Sequence, residues 1–131
     1  MKRNFDLIRD ILLKIEELPN IEDYLITEED LPDYSFNDVT YHIMIMMNSG
    51  LIHGVCEQVN RTDGGNNLRG RKKCYGVYLT WDGCELLDQI RDRATWRKIK
   101  QALLDSAIPI TLGAVQSMAV SFVTSKIGKL S

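Results

Sequence analysis

The stretch Val39 to Ile52, VTYHIMIMMNSGLI, constrains this chain more than any other. Its apolar side chains recur at three- and four-residue spacing, the period of a helix with one buried face. On such a helix Val39, His42, Ile43, Met46 and Met47 gather on the inner side. Thr40, Tyr41, Met44 and Asn48 point away, with Phe36 and Asn37 one turn earlier. Ser35 offers an N-cap oxygen, and Asp38 three residues later suits the positive end of the helix dipole. Gly50 can take the left-handed backbone that closes a helix, and Leu51 to Val59 then reads as a strand. A helix that stops on glycine and passes at once into a strand leaves few small folds open.

The rest of the chain narrows the choice. Phe5, Leu7, Ile8, Ile11, Leu12 and Ile15 make one wide stripe, so a first helix is expected from Asn4 to Leu18, ended by Pro19-Asn20. The acidic segment IEDYLITEEDLPDY follows, interrupted by Pro32. Within it either Thr27 and Asp30 cap one short turn or Tyr24–Ile26 is a short strand. Cys74 to Thr80 reads as the partner of the strand at Leu51–Val59, with Tyr75, Val77 and Leu79 on one face and Cys74, Tyr78 and Thr80 on the other. Thr80 caps a helix from Trp81 to about Arg93 whose Leu86, Leu87 and Ile90 face inward. Thr95 caps a continuation with Trp96, Ile99, Leu103 and Leu104 as its stripe, and Ile108-Pro109 breaks it. Thr111 starts a last helix to about Lys129, and no internal repeat is present.

Helix, short extended piece, reduced turn, helix, strand, long tip, strand, helices is the order of a winged helix. The expected fold is therefore α+β and mainly helical: a winged helix-turn-helix-like domain over 1–93 with a long basic β-hairpin wing, and a C-terminal helical extension over 94–131. A chain of 131 residues holds one domain of this kind with its extension.

Charge decides where a polyanion can be met. Residues 1–54 carry four Lys/Arg against eleven Asp/Glu, whereas residues 55–80 carry five against two and residues 81–131 seven against five. The acidic front repels phosphate, so a nucleic-acid footprint must draw on later segments. The hairpin tip NRTDGGNNLRGRKK holds Arg61, Arg69, Arg71, Lys72 and Lys73 against Asp63, and such a loop can follow phosphates or enter a minor groove. Its glycines form no phosphate-cradling P-loop, because no Gly-Lys-Ser/Thr follows. On the helix, Asn37, Thr40 and Tyr41 stand near the exposed N-terminal end, from which base edges are read in a major groove. That helix contains no Lys or Arg, although phosphate attraction supplies most affinity for DNA.

Other chemistries find little footing. No nucleophile elbow, His–nucleophile pairing or framed pair of carboxylates is present, so an enzyme is not expected, nor a cofactor. His42 reads as a core imidazole bonded to a nearby acceptor. His53, Cys56 and Cys74 lack the ligand spacing of a known zinc site. The three cysteines form no C-x-x-C pair, and the charged N-terminus MKRNFDLIRD has no apolar h-region of a signal peptide, so a cytoplasmic protein with reduced thiols is expected. From Ser106 to Ser125 there is no charged residue, a length that could span a bilayer, but Pro109, Gln116, Ser117, Ser121, Thr124 and Ser125 make it too polar. Leu112, Val115, Ala119, Phe122 and Val123 form a stripe suited to packing on the domain or on the same helix of a second subunit, which makes a homodimer the expectation there.

Two resemblances add to this. Val39, Thr40, His42, Ile43, Met46, Ser49, Gly50, Leu51 and Ile52 resemble the recognition helix of arsenic-repressor-like winged-helix regulators. Two departures stand out: the preceding helix is shortened or missing around Pro32, and Met44 replaces the customary basic residue. The chain as a whole is similar to an uncharacterised family of short bacterial, phage and prophage proteins. The residues that carry this are MKRNFDLIRDILLKIEE, Tyr41-His42, Gly50-Leu51-Ile52 and LTWDGCELLDQIRDRATW. The resemblance implies a winged-helix-like fold and a mobile-element context, and it transfers no functional residue. The expected function is duplex DNA binding by a phage- or prophage-type regulator. Asn37, Thr40 and Tyr41 approach bases, and Arg69, Arg71, Lys72 and Lys73 hold phosphates. The rival is a protein-interaction module of the same fold, docking through Phe36, Tyr41 and Met44.

Overall fold

Helix α1 (Phe5–Glu17) starts where the sequence supplies a cap: the Asn4 side chain accepts a hydrogen bond from the Asp6 N–H at 2.9 Å. It ends at Leu18, whose N–H donates to the Ile15 carbonyl at 3.1 Å just before Pro19. Phe5, Leu7, Ile8, Ile11, Leu12 and Ile15 are all buried, which is the stripe that the spacing predicts. The structure, a computed structural model, describes residues 2–20, 25–26, 31–58 and 72–130. Leu25–Ile26 form the short strand β1, whereas Thr27 and Asp30 lie outside the described residues. In the turn that follows, Leu31 is buried and the Tyr34 hydroxyl donates to Asp10 Oδ2 at 2.7 Å, tying the turn to α1. Burial, and then the Asp10 carboxylate beside it, push the Tyr34 hydroxyl far above the ordinary phenol range.

Helix α2 (Phe36–Asn48) has the cap expected of it, with Ser35 Oγ accepting from the Asp38 N–H at 3.1 Å. Val39, His42, Ile43 and Met46 are buried, and Met47 is only half-buried. The helix closes by two reverse bonds, Leu51 N–H to the Met46 carbonyl at 2.9 Å and Gly50 N–H to that of Met47 at 3.2 Å. This closure needs a left-handed residue between them, and Gly50 supplies it at φ +81°. His42 ties the two helices together. Its Nε2 accepts from the Asn4 N–H at 2.8 Å, so Nδ1 carries the proton and donates to the Asp38 carbonyl at 2.6 Å. The imidazole is 1% exposed and satisfied at both nitrogens, which is the core role expected of it.

Strands β2 (Ile52–Gln58) and β3 (Lys72–Leu79) pair antiparallel, and β1 pairs on the far side of β3, giving the order β1-β3-β2. Ile52 and Val77 are buried on the inner face; α1 packs on β3 and α2, and α2 packs on β2. The register runs Ile52↔Leu79 and His53↔Tyr78, then shifts, so that Val55 meets Tyr75 and Cys56 meets Cys74. Gly76, at φ +62°, sits in this bulge. The extra residue interrupts the alternation. The simple period-two reading of β3 therefore does not carry through Gly76.

The end of α2, the hairpin and the next helix meet at one carbonyl. Leu51 O accepts from the Thr80 N–H at 3.1 Å and from the Thr80 hydroxyl at 3.0 Å, and that hydroxyl also reaches the Gly50 carbonyl. Thr80 Oγ1 in turn accepts from the Gly83 N–H at 3.1 Å, capping helix α3 (Trp81–Ile90) as expected. Gly83 passes so close that a Cβ on it would lie 2.0 Å from the Leu51 carbonyl oxygen.

The chain divides inside α3 into two compact units, Met1–Cys84 and Glu85–Ser131. In the second, Leu86, Leu87 and Ile90 are buried, and α3 stops at Ile90, short of the expected Arg93. The cap of helix α4 (Arg93–Asp105) is Asp92, which accepts from the Thr95 N–H and the Thr95 hydroxyl, each at 2.8 Å; Thr95 is held by the cap and is not the cap itself. Trp96, Ile99 and Leu103 are buried, but Leu104 is 64% exposed and falls off the stripe. Ala107 closes α4 at φ +54°, with the Ile108 N–H bonded to the Leu103 carbonyl. Helix α5 (Leu112–Leu130) follows, capped by Thr111, and packs on α4 with Val115 and Ala119 buried. Val123, expected on the packing stripe, is half-exposed. Among the described residues the fold is mainly helical α+β, five helices with an antiparallel hairpin and a third short strand.

Two substitutions test these junctions by urea denaturation. Gly83→Ala should lower stability by about 1–3 kcal/mol despite alanine's better helix propensity, because its Cβ drives the Leu51 carbonyl off Thr80. Ala107→Gly should raise it by about 0.5–1 kcal/mol by relieving the left-handed alanine, part of the gain being offset by the freer unfolded chain.

Candidate nucleic-acid interface

Asn37, Tyr41, Met44 and Asn48 follow one another at four- and three-residue steps and form the outer stripe of α2. Asn37 and Asn48 are exposed, Met44 is 47% exposed, and Tyr41 is half-buried with its ring edge-on to His42 at 5.4 Å. Thr40 departs from this line. The residue is half-buried, and its hydroxyl oxygen is enclosed without a hydrogen-bond partner among the described residues. Two of the three proposed base-reading side chains therefore share a surface, and the third is turned from solvent. The α2 sequence has Asp38 in its first turn and no cation, so its own charge gives phosphate no attraction.

The cations stand on the other element. Arg61, Arg69 and Arg71 lie outside the described residues, in the connection between β2 and β3. Lys72 and Lys73 begin β3, with Lys72 registered against Gln58 and Lys73 against Glu57. Cys56 and Cys74 are register partners across the hairpin, and His53 pairs with Tyr78. No metal-holding group of His, Cys, Asp or Glu occurs among the described residues. No described helix is long and apolar enough to cross a membrane.

Sequence reasoning missed one surface. His53 and Tyr78 are direct partners across the hairpin, their rings stacked at 5.1 Å and 17°. Both are exposed, as is Val55 beside them. The available signal was Gly76: a glycine inside a strand pattern marks a bulge, where simple alternation stops holding.

Comparison with known proteins gives a consistent placement. A Haemophilus influenzae protein, described as an uncharacterized protein, is 28% identical over 124 residues, covering 95% of this chain and 97% of that protein. No solved structure matches the chain. The family model described as "Hypothetical protein (DUF2513)" matches residues 2–109, and the chain belongs to that family.

Proposed function

We propose that residues 2–84 act as a winged-helix module that binds duplex DNA, with α2 as the recognition helix and residues 59–73 as the wing. The observation that carries this reading is the path of the chain: α2 closes on Gly50, enters β2 directly, and the hairpin returns through β3 to pair with β1. That order leaves the outer stripe of α2 and the basic connection as products of one continuous helix–hairpin unit. Asn37 and Tyr41 approach bases; Arg61, Arg69, Arg71, Lys72 and Lys73 bind phosphates. Thr40 is enclosed and acts through α2 packing unless the helix surface opens.

The role is that of a cytoplasmic binding protein working without a cofactor and not as an enzyme. Its likeness to short phage and prophage proteins favours a regulator in a mobile-element context. A homodimer through the C-terminal helices would present two modules to two half-sites. Val120 and Val123 on α5, in a stretch from Leu112 to Ser125 without a charged residue, and Leu104 on α4 support that pairing, each being at least half-exposed.

A second reading is favoured by Met44. An exposed methionine in the middle of the stripe, flanked by Tyr41 and preceded by Asp38, suits a protein partner better than a phosphate backbone.

Duplex fragments selected from a random pool provide the assay. The Arg71→Ala/Lys72→Ala/Lys73→Ala variant should flatten the slope of log affinity against log salt by about two to three units, and an unchanged slope would sink the wing assignment. Asn37→Ala should weaken selected duplexes about tenfold, and Met44→Lys should tighten duplex binding several-fold, on the order of one added phosphate contact. If neither changes DNA affinity, α2 does not face DNA and the protein-docking reading takes its place.

A further inference from the structure

We propose that the outer face of the β2–β3 hairpin is a stacking platform for unpaired nucleic-acid bases, centred on Tyr78 and His53. The inference rests on the reading of this protein as a nucleic-acid binder, but it uses a different surface from the α2 stripe and a different form of the ligand.

Ile52 and Val77 take the inner face of the hairpin and are buried. On the outer face His53 and Tyr78 stack at 5.1 Å and 17°, Tyr78 is 41% exposed and Val55 51% exposed. β1 pairs with residues 73 and 74 of β3 and with none beyond, so among the described residues no strand flanks β3 at Tyr78 on the side away from His53. A base inserted there would extend a stack that already has two members. Stacking needs only the π-face that every base has, so this platform would tolerate any sequence.

Charge selects the occupant. The strands that carry the aromatics are joined by the segment holding Arg61, Arg69, Arg71, Lys72 and Lys73 against Asp63. An exposed aromatic pair on strands joined by a basic stretch of sequence matches a polyanion with exposed rings, which is a single strand of nucleic acid. A duplex does not meet the requirement, because its bases are already stacked on one another and show only their edges. A neutral apolar protein surface would use the aromatics and leave the cations idle.

The test compares the affinity of the whole protein for a fluorescent oligothymidylate of roughly 12 nucleotides with its affinity for an abasic oligomer of equal phosphate count. Wild type should bind the oligothymidylate about tenfold more tightly than the abasic strand. Tyr78→Ala should lose most of that preference, Tyr78→Phe should keep it, and selected-duplex affinity should stay within about twofold for both variants. Equal binding of the two strands by wild type would reduce the interaction to phosphate attraction and overturn the proposal. So would an unchanged preference in Tyr78→Ala, or an equal loss in Tyr78→Phe, which would assign the effect to the hydroxyl. A Tyr78→Ala variant that alters only the mass seen by light scattering would assign the face to a second copy of the chain, again overturning it. Failure of duplex binding with the single-strand preference intact would reject the winged-helix reading and leave this one standing.

Discussion

The Leu51 carbonyl joins more of this fold than any side chain does. It lies one residue past the glycine that ends α2, accepts from both the N–H and the hydroxyl of Thr80, and presses on Gly83 in the first turn of α3. Thr80 spends one small side chain on three tasks: it donates to the carbonyls at the end of α2, accepts from Gly83, and starts a helix. A larger residue at 83 would separate the carbonyl from its donors, and a non-glycine at 50 would strain the path by which the chain reaches the carbonyl. The direction of α2 relative to the hairpin is thus set by backbone hydrogen bonds at its exit, with the apolar packing of Val39, Ile43 and Met46 filling the space so defined.

A second polar link fixes the other end of α2. His42 is enclosed by the core, yet both ring nitrogens are satisfied, one by the Asn4 N–H and one by the Asp38 carbonyl. A buried polar group so paired avoids the desolvation penalty of an orphan and adds direction, which packing alone does not. Asn4 is also the cap of α1, so the start of one helix and the first turn of the other share a single short chain of bonds. With α2 held at both ends, its outer stripe is a rigid surface, whatever it meets.

That surface and the charges of the chain are separated. The α2 stripe is polar at its ends, apolar at Met44 and without a cation, whereas Arg61, Arg69, Arg71, Lys72 and Lys73 belong to the connection between β2 and β3 and the start of β3. On the proposed reading, affinity and recognition would come from different elements. The stacked pair on the outer hairpin face is a third such surface. It exists because a sheet with only one face on the core leaves the other free for function.

Much of this was legible in the residues. The extents and inner faces of α1 and α2, the caps Ser35 and Thr80, the Gly50 stop and the core role of His42 depend on neighbours within about one helical turn, and spacing reports such neighbours directly. The charge division between the acidic front and the basic connection is likewise a property of sequence alone. Other features were not legible. Asp92 and Thr95 are both competent caps, and only the geometry at the end of α3 chose Asp92. Thr40 sits at a helix position that spacing reads as outward, but its hydroxyl is enclosed by the fold around it. Alternation along β3 does not carry through Gly76, because the bulge is defined by pairing with β2 and not by β3 itself. The sequence by itself therefore determined the elements, most of their caps and where charge accumulates, all of which are local. Tertiary structure alone decided that Leu51 would meet Thr80 and Gly83 and that His53 would stack on Tyr78, since both outcomes rest on the register between segments far apart in the chain.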